Sequence, residues 1–165
     1  YLFSAALDLA GGPTGFIGEM KERLLRTFLT EVLDRNQPLI GPNPYRYSRI
    51  DMDGARELAR LIKETDYLLK AFDSNNPFPK RVFAAHSEND ATAHIQGIHR
   101  LKKKTPSEKF SFYAIPRDAQ VMHASLVLKD PIFGKDDKGE QQLLEKANPQ
   151  FADMMDAITR FQEGD

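Results

Sequence analysis

The sequence predicts an α/β fold: a small parallel sheet with flanking helices and a helical insertion after the first strand. Three observations predict it. Arg81–His86 (RVFAAH) and Phe110–Ile115 (FSFYAI) are short apolar runs separated by a segment of helical spacing, the strand–helix–strand order of a parallel unit. Tyr1–Leu9 (YLFSAALDL) is a third apolar run, closed by Gly11-Gly12-Pro13. Between the first and second runs lie two long helical patterns broken by proline-rich turns.

Taken in order, Tyr1–Leu9 is too short and too abruptly stopped for a helix, and reads as a buried strand. Phe16, Ile17, Met20, Leu24, Phe28, Val32 and Leu33 recur at helical steps, with charges largely between them. Asn36-Gln37-Pro38 and Gly41-Pro42-Asn43-Pro44 end that helix, because proline lacks an amide and pushes its predecessor out of helical geometry. Tyr45–Ile50 is ambiguous. A second helix is expected from Asp51 or Asp53 to Phe72, with Leu58, Leu61, Ile62, Leu68, Leu69 and Phe72 as its stripe. Asp73–Lys80 (DSNNPFPK) is turn chemistry.

After the strand Arg81–His86, Ser87–Asp90 reads as a loop and Ala91–Lys103 as a helix with Ile95, Ile98 and Leu101 inward. The strand Phe110–Ile115 is aromatic and alternating. Pro116–Met122 is a loop, His123–Leu128 opens another helix, and Gly134–Gly139 is a polar turn. Asn148 before Pro149 starts a closing amphipathic helix with Phe151, Met154, Met155, Ile158 and Phe161 on one face. This gives two regions: a core of 1–10 and 80–165, and a helical insertion over 11–79.

Composition excludes several classes. Twenty-three Lys+Arg against 24 Asp+Glu leave no basic excess, so no nucleic-acid partner is implied. Zero cysteines exclude disulfides, thiolate metal sites and a cysteine nucleophile. No apolar run approaches the roughly 20 residues of a transmembrane helix, and no basic residue precedes the apolar start as in a signal peptide. A cytoplasmic location is the expectation. An apolar start at Tyr1 suggests a chain that begins inside a larger protein.

Reactive groups of an open parallel sheet collect in loops at the carboxyl ends of its strands. The loop after Arg81–His86 carries Asp90, and the loop after Phe110–Ile115 leads to His123. Neighbouring strands would bring the two within reach, and a carboxylate beside a histidine makes a general base. The plainer reading has Asp90 capping the helix at Ala91 and His123 starting the next one. His86, Glu88, Asp90, His94 and His99 also cluster, with Asp90 and His94 spaced for one helix face. They lack a paired metal motif such as H-E-x-x-H, and neither metal nor cofactor is expected. Lys102–Lys104 reads as a solvated helix end. Phe16, Met20 and Phe28 read as a packing stripe that could also roof an acyl pocket, and Ser125 as helix surface.

The run RVFAAHSENDATAHIQGI resembles the seventh strand, acid-bearing loop and following helix of the α/β-hydrolase fold. FSFYAIPRDAQVMHASLVL is similar to its last strand and histidine loop, and Asn148–Phe161 to its C-terminal helix. YLFSAALDL resembles the strand before the lid, and 11–79 the helical cap of many esterases and lipases. The resemblance implies a partial α/β-hydrolase core in which Asp90 is the triad acid and His123 the triad base. It further implies a serine hydrolase of carboxylic esters, lipid and lysophospholipid esters included. The family's nucleophile sits in a G-x-S-x-G elbow ahead of the acid. Ser4, Ser48, Ser74 and Ser87 precede Asp90 and none lies in such an elbow, so the nucleophile is expected upstream of this chain, which alone would be inactive. The Tyr1–Leu9 edge is then expected to pair with the missing N-terminal half of the same protein or with a second chain. A non-catalytic binding or assembly module on a hydrolase-like fold is the alternative expectation.

Overall fold

Six consecutive buried positions define the centre of the molecule. In the computed structural model, which describes residues 1–8, 52–135 and 138–164, they are Val82–Ser87, a strand with no charged residue until Glu88. This strand, β2, pairs in parallel with β1 (Leu2–Phe3) on one side and with β3 (Phe110–Ile115) on the other. The register sets Leu2 against Ala84, Val82 against Phe110 and Ser87 against Ile115.

Alternation along β2 sends successive side chains to opposite faces. Val82 and Ala84 pack with Phe110 against Ile98 and Leu101 of α2 (Gln96–Lys104). Phe83 and Ala85 pack with Ile115 against Met154 and Ile158 of α3 (Phe151–Glu163). The fold is thus α/β, a three-stranded parallel sheet between two helices, as the sequence predicts at that level. α3 begins later than expected, at Phe151 with Gln150 as its N-cap, and Asn148 instead forms the turn before it, its Oδ1 accepting the Gln150 amide at 2.9 Å. The Asp73 turn also forms: its carboxylate accepts the amides of Asn75 and Asn76, which hold its pKa below the usual value.

Four further expectations are corrected. Tyr1–Leu9 is not one strand: pairing stops after Phe3, because Ser4 turns into the left-handed region at φ 40°. Residues 5–8 then cross towards the start of α2, where Arg100 binds the Asp8 carboxylate at 2.6 Å and His94 N–H donates to Asp8 O. Gly97 lies directly beneath this crossing; a Cβ there would fall 2.8–3.0 Å from Leu7 and Asp8 atoms.

The helix expected from Ala91 starts at Gln96 instead. Asp90 Oδ1 takes the Thr92 and Ala93 amides as a cap does, but the Ala93 carbonyl faces His86 and the Gly97 amide bonds His94 O instead of it, so no helical bond forms from Ala93. Asp90 and His94 therefore do not share a helix face. The helix expected at His123–Leu128 is a single 3₁₀ turn, Ala124–Val127. Asn148 stops it by donating its Nδ2 to Leu126 O and its amide to Leu128 O.

The polar turn expected over Gly134–Gly139 starts later, since β4 (Ile132–Lys135) pairs antiparallel with β5 (Gln141–Glu145); residues 136 and 137 lie outside the described residues. Gly134 is part of β4, where a Cβ would meet Leu144 Cδ1 at 2.6 Å, so any larger residue would require the Leu144 side chain to shift. Of the expected insertion, α1 (Met52–Leu69) is the second helix, ending three residues short of the expected Phe72. Its stripe is only half used: Ile62 is buried, whereas Leu58, Leu61 and Leu68 are 42, 62 and 63% exposed. The helix expected over 16–33 and the turns to Ile50 lie outside the described residues. Among the described residues no helix is long and apolar enough to cross a membrane.

Candidate active site

The carboxyl ends of β2 and β3 lie side by side in register, so the loops leaving them start from adjacent points. Glu88 N–H donates to Ile115 O at 2.9 Å, continuing the pairing one step past the strands. Ser87 Oγ donates to Val121 O at 2.6 Å, and the Asn89 amide donates to the same Oγ. Arg117 adds a long bond to Glu88 O at 3.4 Å. The two loops are therefore laced together just before each reaches its ionisable residue.

Asp90 and His123 meet there. His123 Nδ1–H donates to Asp90 Oδ2 at 2.8 Å. The Asp90 side chain has no exposure, and its Oδ1 accepts the Thr92 and Ala93 amides at 2.8 and 2.9 Å. Three donors thus hold one carboxylate in a single orientation. The His123 side chain is 38% exposed, and with Nδ1 carrying the proton its Nε2 is the basic nitrogen. No described residue hydrogen-bonds to that Nε2. The plainer reading of Asp90 is also half present, since it receives local amides as a cap does, though no helix follows directly.

A cleft of about 510 Å³ is lined by Asn89 and Met122, the sequence neighbours of Asp90 and His123, together with Ser125 and the charged Arg117, Glu145 and Lys146; Asp90 and His123 themselves are not among its lining residues. Ser125 does not face the pair as a nucleophile: its Oγ donates to Glu145 Oε2 at 3.3 Å, and the residue is buried. Ser87 is spent on Val121. Ser4 is buried at the carboxyl end of β1 with an Oγ that meets no partner. No serine among the described residues is hydrogen-bonded to His123. Among the described residues no group of three His, Asp or Glu side chains is arranged to hold a metal.

No protein-family model matches this chain, and comparisons with curated proteins and with solved structures likewise return no match. The site stands on its geometry alone.

Sequence reasoning singled out Asp90 and His123, which the structure brings together. It assigned no positional role to His86, which lies fully buried with Nε2 3.1 Å from Ala93 O and 3.8 Å from Asp90 Oδ2. A histidine inside an otherwise apolar run was the available signal. Ser87 and Asn148, which tether the two loops, carry no signal in a single sequence beyond being small and polar near strand and helix ends.

Proposed function

We propose that Asp90 and His123 are the orienting acid and the general base of a serine-type carboxylic-ester hydrolase. The observation that carries this reading is the 2.8 Å bond from His123 Nδ1 to a carboxylate that has no solvent exposure. That bond fixes the imidazole tautomer, leaves Nε2 free to take a proton, and places a negative charge where the imidazolium forms. In the reaction a serine hydroxyl gives its proton to Nε2 as it attacks the ester carbonyl. The imidazolium returns that proton to the departing alcohol, and water then repeats the sequence on the acyl-enzyme.

The nucleophile and oxyanion donors come, on this reading, from polypeptide outside residues 1–165. Its point of attachment is the edge of β1, which meets β2 on one side and no described strand on the other. On this reading the cleft lined by Asn89 and Met122, the sequence neighbours of Asp90 and His123, takes part of the substrate, an ester of lipid or lysophospholipid type. A second reading, a binding module, is favoured by the exposed leucines of α1, which offer an apolar surface without chemistry.

The test uses the longest natural polypeptide that contains this sequence, assayed with a p-nitrophenyl acyl ester. His123→Ala is expected to lower kcat by roughly 10³-fold or more, and Asp90→Asn by up to about 10⁴-fold, with the circular dichroism spectrum unchanged. Near-normal turnover in His123→Ala would overturn the hydrolase reading and favour the module.

A further inference from the structure

The central strand of a small sheet is the least hospitable place for an ionisable group, yet β2 carries one. His86 has no solvent exposure, and its Nδ1 meets no hydrogen-bond partner. An apolar side chain would fill that space without the cost of a desolvated nitrogen. The imidazole therefore needs a reason that lies at its other nitrogen.

Nε2 lies 3.1 Å from Ala93 O and 3.8 Å from Asp90 Oδ2, so it faces two acceptors and must carry the hydrogen. The opposite tautomer would turn a lone pair towards both oxygens. Ala93 is itself fully buried and is held from two directions: His86 binds its carbonyl, and its amide binds Asp90 Oδ1 at 2.9 Å. Asp90 in turn binds His123 through Oδ2. The path from the sheet to the reactive imidazole thus runs His86, Ala93, Asp90, His123, one hydrogen bond at each step. Burial pushes the His86 pKa down and outweighs the Ala93 carbonyl and the Asp90 carboxylate, which raise it, while the neighbouring His123 and His94 act in the same direction as burial.

We propose that His86 is a positioning residue for the Asp90–His123 pair, anchoring the Ala93 segment that orients Asp90 and presenting the positive end of its N–H dipole to Asp90 Oδ2. The proposal rests on the reading of that pair as acid and base, but it is tested without turnover. A merely structural histidine would stabilise the fold and leave the His123 tautomer alone. A positioning histidine sets that tautomer, because Asp90 selects the Nδ1–H form only while its Oδ2 is correctly aimed.

The experiment is ¹⁵N–¹H correlation spectroscopy of the histidine rings of the longest natural polypeptide that contains this sequence, at a pH where His123 is neutral. The ratio of Nδ1–H to Nε2–H forms of His123 is compared in the natural protein and in His86→Leu, His86→Gln and His86→Asn. The natural protein is expected to hold the Nδ1–H form, and His86→Leu to lower the ratio at least tenfold. His86→Gln, whose amide nitrogen falls near the imidazole Nε2, is expected to restore it to within threefold, whereas His86→Asn, which is too short, is not. Should His86→Leu fail to fold, the contrast between Gln and Asn decides. A ratio unchanged in His86→Leu, equal ratios in Gln and Asn, or loss of the fold in all three variants overturns the proposal. A lost ratio beside a protein that cleaves no ester would instead sink the hydrolase reading and leave the positioning role standing.

Discussion

Substituting Gly97 by alanine tests whether residues 5–8 lie where the structure puts them. Gly97 is the second residue of α2, a position where alanine would ordinarily raise stability by up to about 1 kcal/mol through helix propensity. Here the added Cβ would sit 2.8 Å from Leu7 Cβ, 2.9 Å from Leu7 C and 3.0 Å from Asp8 N. Two of those atoms are backbone, and the backbone is pinned. His94 N–H holds Asp8 O at 2.8 Å, and Arg100 holds both Asp8 Oδ2 and Leu7 O. Overpacking a rigid site costs about 1–3 kcal/mol, and fixed backbone places this case in the upper part of that range. Setting the propensity gain against it leaves a net loss of about 2 kcal/mol. For a chain of this size that lowers Tm by roughly 4–8 °C. Thermal melting followed by circular dichroism at 222 nm gives the answer, with urea unfolding as a second measure. A Tm equal to or above that of the natural protein would refute the packing of Leu7 and Asp8 on α2, since propensity alone predicts that sign.

Two further outcomes are expected. Arg100→Met removes the partner of an Asp8 carboxylate that is 3% exposed, and should cost about 3 kcal/mol in urea unfolding; a loss below about 0.5 kcal/mol would show the pair to be dispensable. His86, whose pKa is pushed down by burial, binds a proton more readily in the unfolded chain than in the fold. Its effect on stability is therefore absent above the unfolded value near 6.5, and stability falls as pH drops from there towards the lower folded value. Melting curves between pH 8 and 5 should show a shallower decline in His86→Gln, and parallel curves for the two proteins would contradict the assignment.

The parallel core was legible because its signals are local and strong. RVFAAH can bury itself only as the inner strand, FSFYAI has the aromatic alternation of a strand beside it, and Ile98 and Leu101 fall on one face of the intervening helix. The meeting of Asp90 and His123 followed from topology alone, since adjacent parallel strands deliver their loops to one edge. What the sequence hid was decided by tertiary contacts. The late start of α2 comes from tertiary partners, His86 at the Ala93 carbonyl and the Asp8 carbonyl at the His94 amide. The shortening of β1 comes from Ser4, a residue with no intrinsic preference for φ 40°. The strands β4 and β5 are short and half exposed, and their apolar residues come in adjacent pairs, Ile132-Phe133 and Leu143-Leu144, so they lack the apolar alternation that marks a strand.

Asn148 has a consequence for motion. Its amide and side chain hold the carbonyls of Leu128 and Leu126, while its Oδ1 and carbonyl take the Gln150 and Phe151 amides at the start of α3. Leu126, fully buried, packs in the same cluster as Met154 and Ile158 of that helix. The segment that follows His123 is thus fastened to α3 both by polar contacts at its end and by a side chain beneath it. Displacing the histidine loop means unseating the last helix, so the two open as one cooperative unit. Such a loop does not sample its surroundings on the nanosecond scale of a free surface turn. Its opening is a rare, sub-global event, and between such events the imidazole keeps one address relative to the sheet.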